Sequence, residues 1–252
     1  MRFVHSLFSS IGSARRLLML CSMLVLLPSM ARAGEFIILS GGPALRIYEA
    51  DKRATHDKYW FNFIDSAQLR IHQLRPKLQP GDEITWLVFR PGYADRAVEM
   101  KNDPKELTKL NLLDEIMKKA NAENVTLMWI DNKDQLINYM NKGKDRSKSP
   151  LVGFEFFGHS NKACFLLDYS NNVDGMSTEY LHVVDFGKIN KGIFAKNAVC
   201  QSWGCHSGEL YSPRWKSRFG ISMVGVIGKT DYSRVRLGDL PFESTGKNNW
   251  TQ

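Results

Sequence analysis

The chain has 252 residues, of which 43% are apolar and 24% charged, with a formal net charge of +8. That apolar content excludes a disordered chain, and 19 Gly with 9 Pro exclude collagen-like or low-complexity sequence. The length fits one large domain or two small ones.

Arg2, Arg15 and Arg16 precede an apolar run from Leu17 to Leu27, interrupted only by Ser22. Pro28 and Ser29 break the run, and Ala31-Arg32-Ala33 places small residues before Gly34. This is the pattern of a secretory signal cleaved after Ala33. The run is about half of the roughly 20 residues that a spanning helix needs. Leu20 before Cys21, where a lipoprotein would carry a small residue, argues against lipid attachment. The expectation is therefore a signal peptide over 1–33, one domain over 34–252, and export to the periplasm or the medium. Cleavage removes four Arg and no acid, which lowers the formal charge from +8 to +4. No basic stripe interleaved with aromatics accompanies that charge, so nucleic acid is not an expected partner. No second apolar run approaches membrane length, so no stable membrane insertion is expected once the signal is gone. Three cysteines remain, Cys164, Cys200 and Cys205. An odd number in an exported chain leaves at least one thiol free or paired between chains.

Strand and helix patterns alternate along this domain. Phe36 to Leu39 is a short apolar strand, followed by Ser40-Gly41-Gly42-Pro43. Without a following Gly-Lys-Ser/Thr, those residues read as a turn rather than a phosphate loop. Trp60, Phe63, Ile64, Ala67, Ile71 and Leu74 recur on one helical face between Tyr59 and Leu78, and Pro80-Gly81 ends that helix. Ile84 to Phe89 is the second strand. Asp103-Pro104 opens a helix in which Leu110, Leu113, Met117 and Ala120 share a face. Val125 to Ile130 is the third strand, and Leu136 to Met140 lies in a short helix. Asn141 to Ser149 carries four basic residues and one acid, and reads as a solvated linker. Leu151 to Phe157 is the fourth strand, with Ala163 to Leu167 turning back beside it. Phe186 to Phe194 reads as a helix and Ala198 to Trp203 as the next central strand. Ser212-Pro213 signals a helix start, Gly220 its end, and Ile221 to Ile227 the last strand. Near-continuous apolar strands separated by helices predict an α/β fold. Its expected form is a three-layer αβα sandwich around a mostly parallel sheet.

Sites in such sheets form at the carboxyl ends of the strands. Two strands here end in reactive groups. The fourth gives Phe157-Gly158-His159-Ser160, and the later central one gives Trp203-Gly204-Cys205-His206-Ser207-Gly208. If those strands are neighbours, His159 and Cys205 face one crevice. An imidazole beside a thiol takes its proton, or holds the thiolate as an ion pair, and later protonates a leaving amine. The tetrahedral oxyanion needs fixed N–H donors, which glycine-flanked turns supply. Cys200, five residues earlier, is the rival nucleophile. It reads as a buried strand residue, free or bonded to Cys164. His206 reads as a pocket wall rather than the base, because adjacent strand-end side chains point apart. Zinc ligation by Cys200, Cys205, His206 and His159 lacks the usual paired-ligand spacing, so no metal and no cofactor is expected.

The two motifs resemble the caspase–haemoglobinase group of cysteine peptidases, which includes caspases, metacaspases, legumains, gingipains, clostripains and separases. Trp203-Gly204-Cys205-His206-Ser207-Gly208-Glu209-Leu210 is similar to the Cys-x-Ser-Gly turn of separases and legumains. The resemblance runs from Phe36 to Lys229 in element order, carried by these two short motifs. It implies a caspase-like αβα domain acting as a cysteine endopeptidase on peptide or protein substrates. Cys205 would be the nucleophile and His159 the base, with main-chain donors around Gly158, Ser160 and Gly204. In relatives that cut after basic residues an acid sits in the specificity pocket; Asp231 is the residue implied here, with a turn cap as its other reading. Ser160 departs from the family's Gly. It keeps the N–H but adds a side chain beside the substrate path, which leaves open a binding or scaffolding relative without turnover. Acyl transfer by the same dyad is a further option.

Overall fold

Alternate residues along the apolar runs face opposite ways, as strand geometry requires. In β1 (Glu35–Ser40), Phe36 and Ile38 join one buried cluster while Ile37 and Leu39 join another. In β2 (Glu83–Phe89), Trp86 and Val88 follow the first pair, Leu87 and Phe89 the second. A sheet with two apolar faces needs cover on both. The computed structural model describes residues 33–43, 59–102, 110–168 and 179–251, and it supplies that cover. On one face lie α1 (Asn62–Leu74), through Ile64, Ala67 and Ile71, and α3 (Leu112–Ala122), through Ile116 and Ala120. On the other lie α4 (Lys133–Lys142), through Leu136 and Met140, and α5 (Tyr211–Phe219), through Trp215 and Phe219. The protein is an α/β three-layer sandwich.

The six strands of the central sheet run β3 (Thr126–Ile130), β2, β1, β4 (Leu151–Phe157), β8 (Phe194–Ser202), β9 (Met223–Val224), all pairings parallel. The chain winds from β1 to one edge, returns to β4 and winds to the other. β4 and β8 are direct neighbours, with Phe156 opposite Ser202. At their carboxyl ends stands a separate antiparallel sheet of β5 (His159–Ser160), β6 (Cys164–Leu166) and β7 (Tyr180–His182). A small hairpin of β10 (Thr230–Asp231) and β11 (Phe242–Glu243) completes the strands.

Several expectations need correction. The strand expected beside β4 pairs with β5 instead, so it builds on the tip of the sheet rather than on the sheet itself. Phe186 to Phe194 is no α-helix. Phe186, Ile189 and Ile193 are buried at helical spacing, yet the chain makes two 3-10 turns, Val183–Lys188 and Lys191–Ile193, before β8 begins. Gly187 and Gly192 weaken a longer helix, and a reciprocal cap between His182 and Asp185 favours the tight turn. Ser212 does not cap α5 by accepting from its amides. It lies inside the first turn, and its hydroxyl donates to Ser207 O. Gly220 does end that helix, at φ 72°, a left-handed conformation suited to glycine. Beyond Val224 the expected last strand leaves the sheet, because Val226 and Gly228 carbonyls accept from Gly208 and His206 in the turn after β8.

The basic loop after α4 is not a simple solvated linker. Arg146 is buried and donates to Glu35, Met140 O and Tyr139 O. Helix α2 (Arg90–Asn102) follows β2 without a turn and has no counterpart in the sequence reading. The signal segment, through residue 32, and the Asp103-Pro104 helix start lie outside the described residues.

Candidate active site

β4 ends at Phe157 and β8 at Ser202, and the parallel ladder continues one step further, with Trp203 N–H donating to Phe156 O at 2.9 Å. The two strand ends are clamped on both sides. Trp203 stacks on Phe157, with ring centroids 5.6 Å apart and planes at 7°. Beneath them, fully buried Glu155 takes a bidentate Arg70 guanidinium at 2.8–3.0 Å and the Trp203 indole N–H at 2.9 Å. Glu155 is the anchor that fixes where both turns begin.

The turn carrying Cys205 is held by its own hydroxyls and by the segment after β9. Ser207 Oγ donates to Gly204 O at 3.0 Å, and Ser207 O accepts from Ser212 N–H and Oγ. His206 N–H donates to Gly228 O, and Gly208 N–H to Val226 O. His206 itself sits at φ 60°, a left-handed conformation uncommon for a side-chain residue. Such strain persists only where the surroundings over-determine it.

Ser160 joins this turn directly. Its Oγ donates to Cys205 O at 2.5 Å. A Cβ on Gly204 would lie 2.2 Å from that Oγ, so glycine is what lets the two turns close on each other. The serine side chain thus ties the His turn to the Cys turn. Its N–H is also placed by pairing. Asn161 N–H bonds Cys164 O in the β5–β6 ladder, and antiparallel pairs alternate, so Ser160 N–H is directed to the edge that β6 does not occupy. Gly204 N–H turns back to Ser202 Oγ at 3.3 Å. Gly158 is buried, and its amide lies by the Tyr232 hydroxyl.

Cys205 is half-buried, and its Sγ lies 3.4 Å from both the Thr230 amide nitrogen and Thr230 Oγ1, and 4.0 Å from Thr230 O. His159 is also half-buried, its ring edge-on to Phe63 at 4.9 Å and 90°. Phe63 in turn meets Tyr232 at 5.2 Å, and the Tyr232 hydroxyl donates to Trp203 O at 3.0 Å. Helix α1 and the segment after β10 therefore supply a common aromatic wall to both turns. Burial pushes the Tyr232 hydroxyl well above its ordinary range, so it acts as a neutral donor.

Around the rim, Glu209 accepts from Lys162 at 2.6 Å and pairs with His206 Nδ1 at 2.6 Å. Lys162 and then His206 hold its carboxyl down at about 2. His206 is thus engaged along the rim. Asp231 accepts from Ser233 N–H at 2.6 Å, which is a turn cap. Cys200 is buried in β8, and burial pushes its thiol up to about 12; burial raises Cys164 too. Cys164, Cys200 and Cys205 are all free thiols, so the Cys164–Cys200 bond is not formed. Among the described residues no group of three His, Cys, Asp or Glu is arranged to hold a metal.

Thr230, next to Asp231, is the residue that meets the sulfur, and nothing in the sequence singled it out. Phe63 and Glu209 gave no local signal, because their roles depend on turns meeting across the sheet. No protein-family model, curated protein or solved structure matches the chain.

Proposed function

We propose that the protein is a cysteine endopeptidase acting through Cys205 and His159. One observation carries this reading: two adjacent parallel strands end together in a His turn and a Cys turn, joined by Ser160 Oγ on Cys205 O. In the proposed reaction His159 accepts the Cys205 proton and the sulfur attacks the peptide carbonyl carbon. The carbonyl oxygen becomes an oxyanion, which the Ser160 and Cys205 amides receive as main-chain donors in this reading. Collapse breaks the C–N bond, and the imidazolium proton passes to the leaving amine. Water, deprotonated by the same imidazole, then releases the carboxylate and restores the thiol. Phe63 packs against the imidazole at right angles and limits its rotation.

The reading extends to localisation: a leader over 1–33 removed on export, with the domain acting outside the cytoplasm on peptide or protein substrates. The described residues contain no helix long and apolar enough to cross a membrane.

The test is cleavage of a mixed peptide library, read by mass spectrometry. Cys205→Ala abolishes cleavage, and His159→Ala lowers it by roughly 100- to 10,000-fold. The double variant is hardly worse than Cys205→Ala alone, since members of one catalytic unit are not additive. Cleavage retained in Cys205→Ala refutes the mechanism. A folded protein that cleaves nothing and whose Cys205 is inert to alkylation is a binding protein on the same fold.

A further inference from the structure

Resting on that reading, we infer that Thr230 is the positioning residue that holds the Cys205 sulfur in its ionised, nucleophilic form. The geometry places two donors on the sulfur from one residue, the main-chain N–H at 3.4 Å and the hydroxyl at 3.4 Å. The two behave differently as the thiol ionises. The amide donates in both states. The hydroxyl has one proton and free lone pairs, so it accepts from S–H in the thiol and turns to donate to the thiolate. Thr230 O, 4.0 Å away, is the other acceptor open to the S–H. Ionisation therefore exchanges an accepted bond for a donated one without moving the chain.

The donors are held in advance. Thr230 pairs with Glu243 across the β10–β11 hairpin, and Ser244 N–H bonds Lys229 O. Glu243 is buried and accepts from Thr245 and Lys247 amides, which fixes the return strand. Upstream, Gly228 O is tied to the His206 amide, so the segment is pinned on both sides of Thr230 and against the turn that carries the sulfur. Reorganisation on ionisation is correspondingly small, and fixed dipoles aimed at a developing charge are the effective kind. The C-terminal hairpin is by this account a part of the reactive centre.

The elements that meet around Cys205 carry other titratable groups: His159 from β5, His206 and Glu209 from the Cys turn, Lys162 from the β5–β6 turn, and Asp231 and Tyr232 after Thr230. A substitution at Thr230 leaves all of them in place. Its effect on ionisation is therefore separable from theirs.

The experiment is the rate of iodoacetamide alkylation at Cys205 across pH 5 to 10, on the full protein, with the modified residue identified by mass mapping. Hydrogen bonds to a charged group are worth enough to shift a titration by about 1 to 2 pH units. Thr230→Val keeps the shape and the N–H and deletes the hydroxyl. It moves the midpoint of the rate profile up by about 1 unit, the lower end for a sulfur acceptor at this distance, and slows labelling below the midpoint about tenfold. Thr230→Ser restores the hydroxyl and the parent profile. Superimposable profiles for parent and Thr230→Val overturn the inference while leaving the peptidase reading intact. Loss of reactivity in both Val and Ser variants overturns it too, since a packing role rather than a donor would then be at work. A Cys205 as inert as Cys200 in the unsubstituted protein overturns both readings.

Discussion

Removing the Arg70 side chain isolates the carboxylate on which both reactive turns rest. Glu155 is fully buried, and its two oxygens take three contacts from Arg70 and one from the Trp203 indole. Arg70→Met deletes the guanidinium and leaves Glu155 with the indole. Breaking a buried ion pair on one side costs about 3–5 kcal/mol. The Arg70 side chain is 16% exposed, so water reaches one flank of the pair and the lower end, about 3 kcal/mol, is expected. For a domain of this size that lowers Tm by roughly 6–12 °C. Arg70→Met with Glu155→Met removes both charges but leaves the Trp203 indole N–H without an acceptor, so about 1–2 kcal/mol of the loss remains. Urea unfolding followed by tryptophan fluorescence measures all three proteins. Trp203 both donates to Glu155 and stacks on Phe157, so the single variant also slows Cys205 alkylation. A cost below about 1 kcal/mol for Arg70→Met refutes the reasoning. A double variant as unstable as the single one does so as well, since lost packing rather than a stranded charge would explain it.

At the opposite end of the sheet, burial would raise the Glu35 carboxyl, but hydrogen bonds from Thr85, Tyr139 and Arg146 outweigh it and hold the group below 4.5. A lowered folded value contributes stability above pH 4.5 that is lost as pH falls through it. Acid titration of unfolding therefore shows a decline below pH 4.5 that Glu35→Gln lacks. Arg146→Met costs about 3 kcal/mol at neutral pH by urea unfolding, the lower end because Thr85 and Tyr139 still donate. The Cys200 thiol, pushed up to about 12, stays unlabelled by brief alkylation at pH 7.5, and denaturation exposes it to full labelling.

The central layer was legible because its signals are local. Apolar runs with alternating faces, helical stripes and the glycine stop at Gly220 depend on residues a few positions apart, and the structure follows them in β1, β2, β4, α1 and α5. The adjacency of the Phe157 and Trp203 strand ends, conditional in the sequence, is shown by the pairing of β4 with β8. What escaped depends on distant segments meeting. Helix α2 buries only Gly92, Tyr93, Arg96 and Met100 of its 13 residues and starts with Arg-Pro-Gly, so it carries no apolar stripe. Residues 225–228 leave strand pairing for the Cys turn, where a Cβ on Gly225 would lie 2.5 Å from Ser212 Oγ. Arg146 looked like one charge in a basic loop, and only its contact with Glu35, 111 residues away, makes it a core residue. At the candidate site, the two turns that carry His159, Ser160 and Cys205 at neighbouring strand ends were legible as motifs. Thr230 was not, because a threonine has no sequence signature for contact with a distant sulfur.

In the proposed mechanism Cys205 is an activated nucleophile served by His159. The most direct measurement of that role is intact-mass analysis of the folded protein after brief exposure, at pH 7, to a small panel of peptidyl acyloxymethyl ketones. These probes alkylate an activated thiol as they lose the acyloxy group. The account predicts one adduct per chain, mapped to Cys205, slowed at least 100-fold in His159→Ala and absent in Cys205→Ala. An adduct on Cys164 or Cys200, or labelling of Cys205 at the same rate with and without His159, would contradict it.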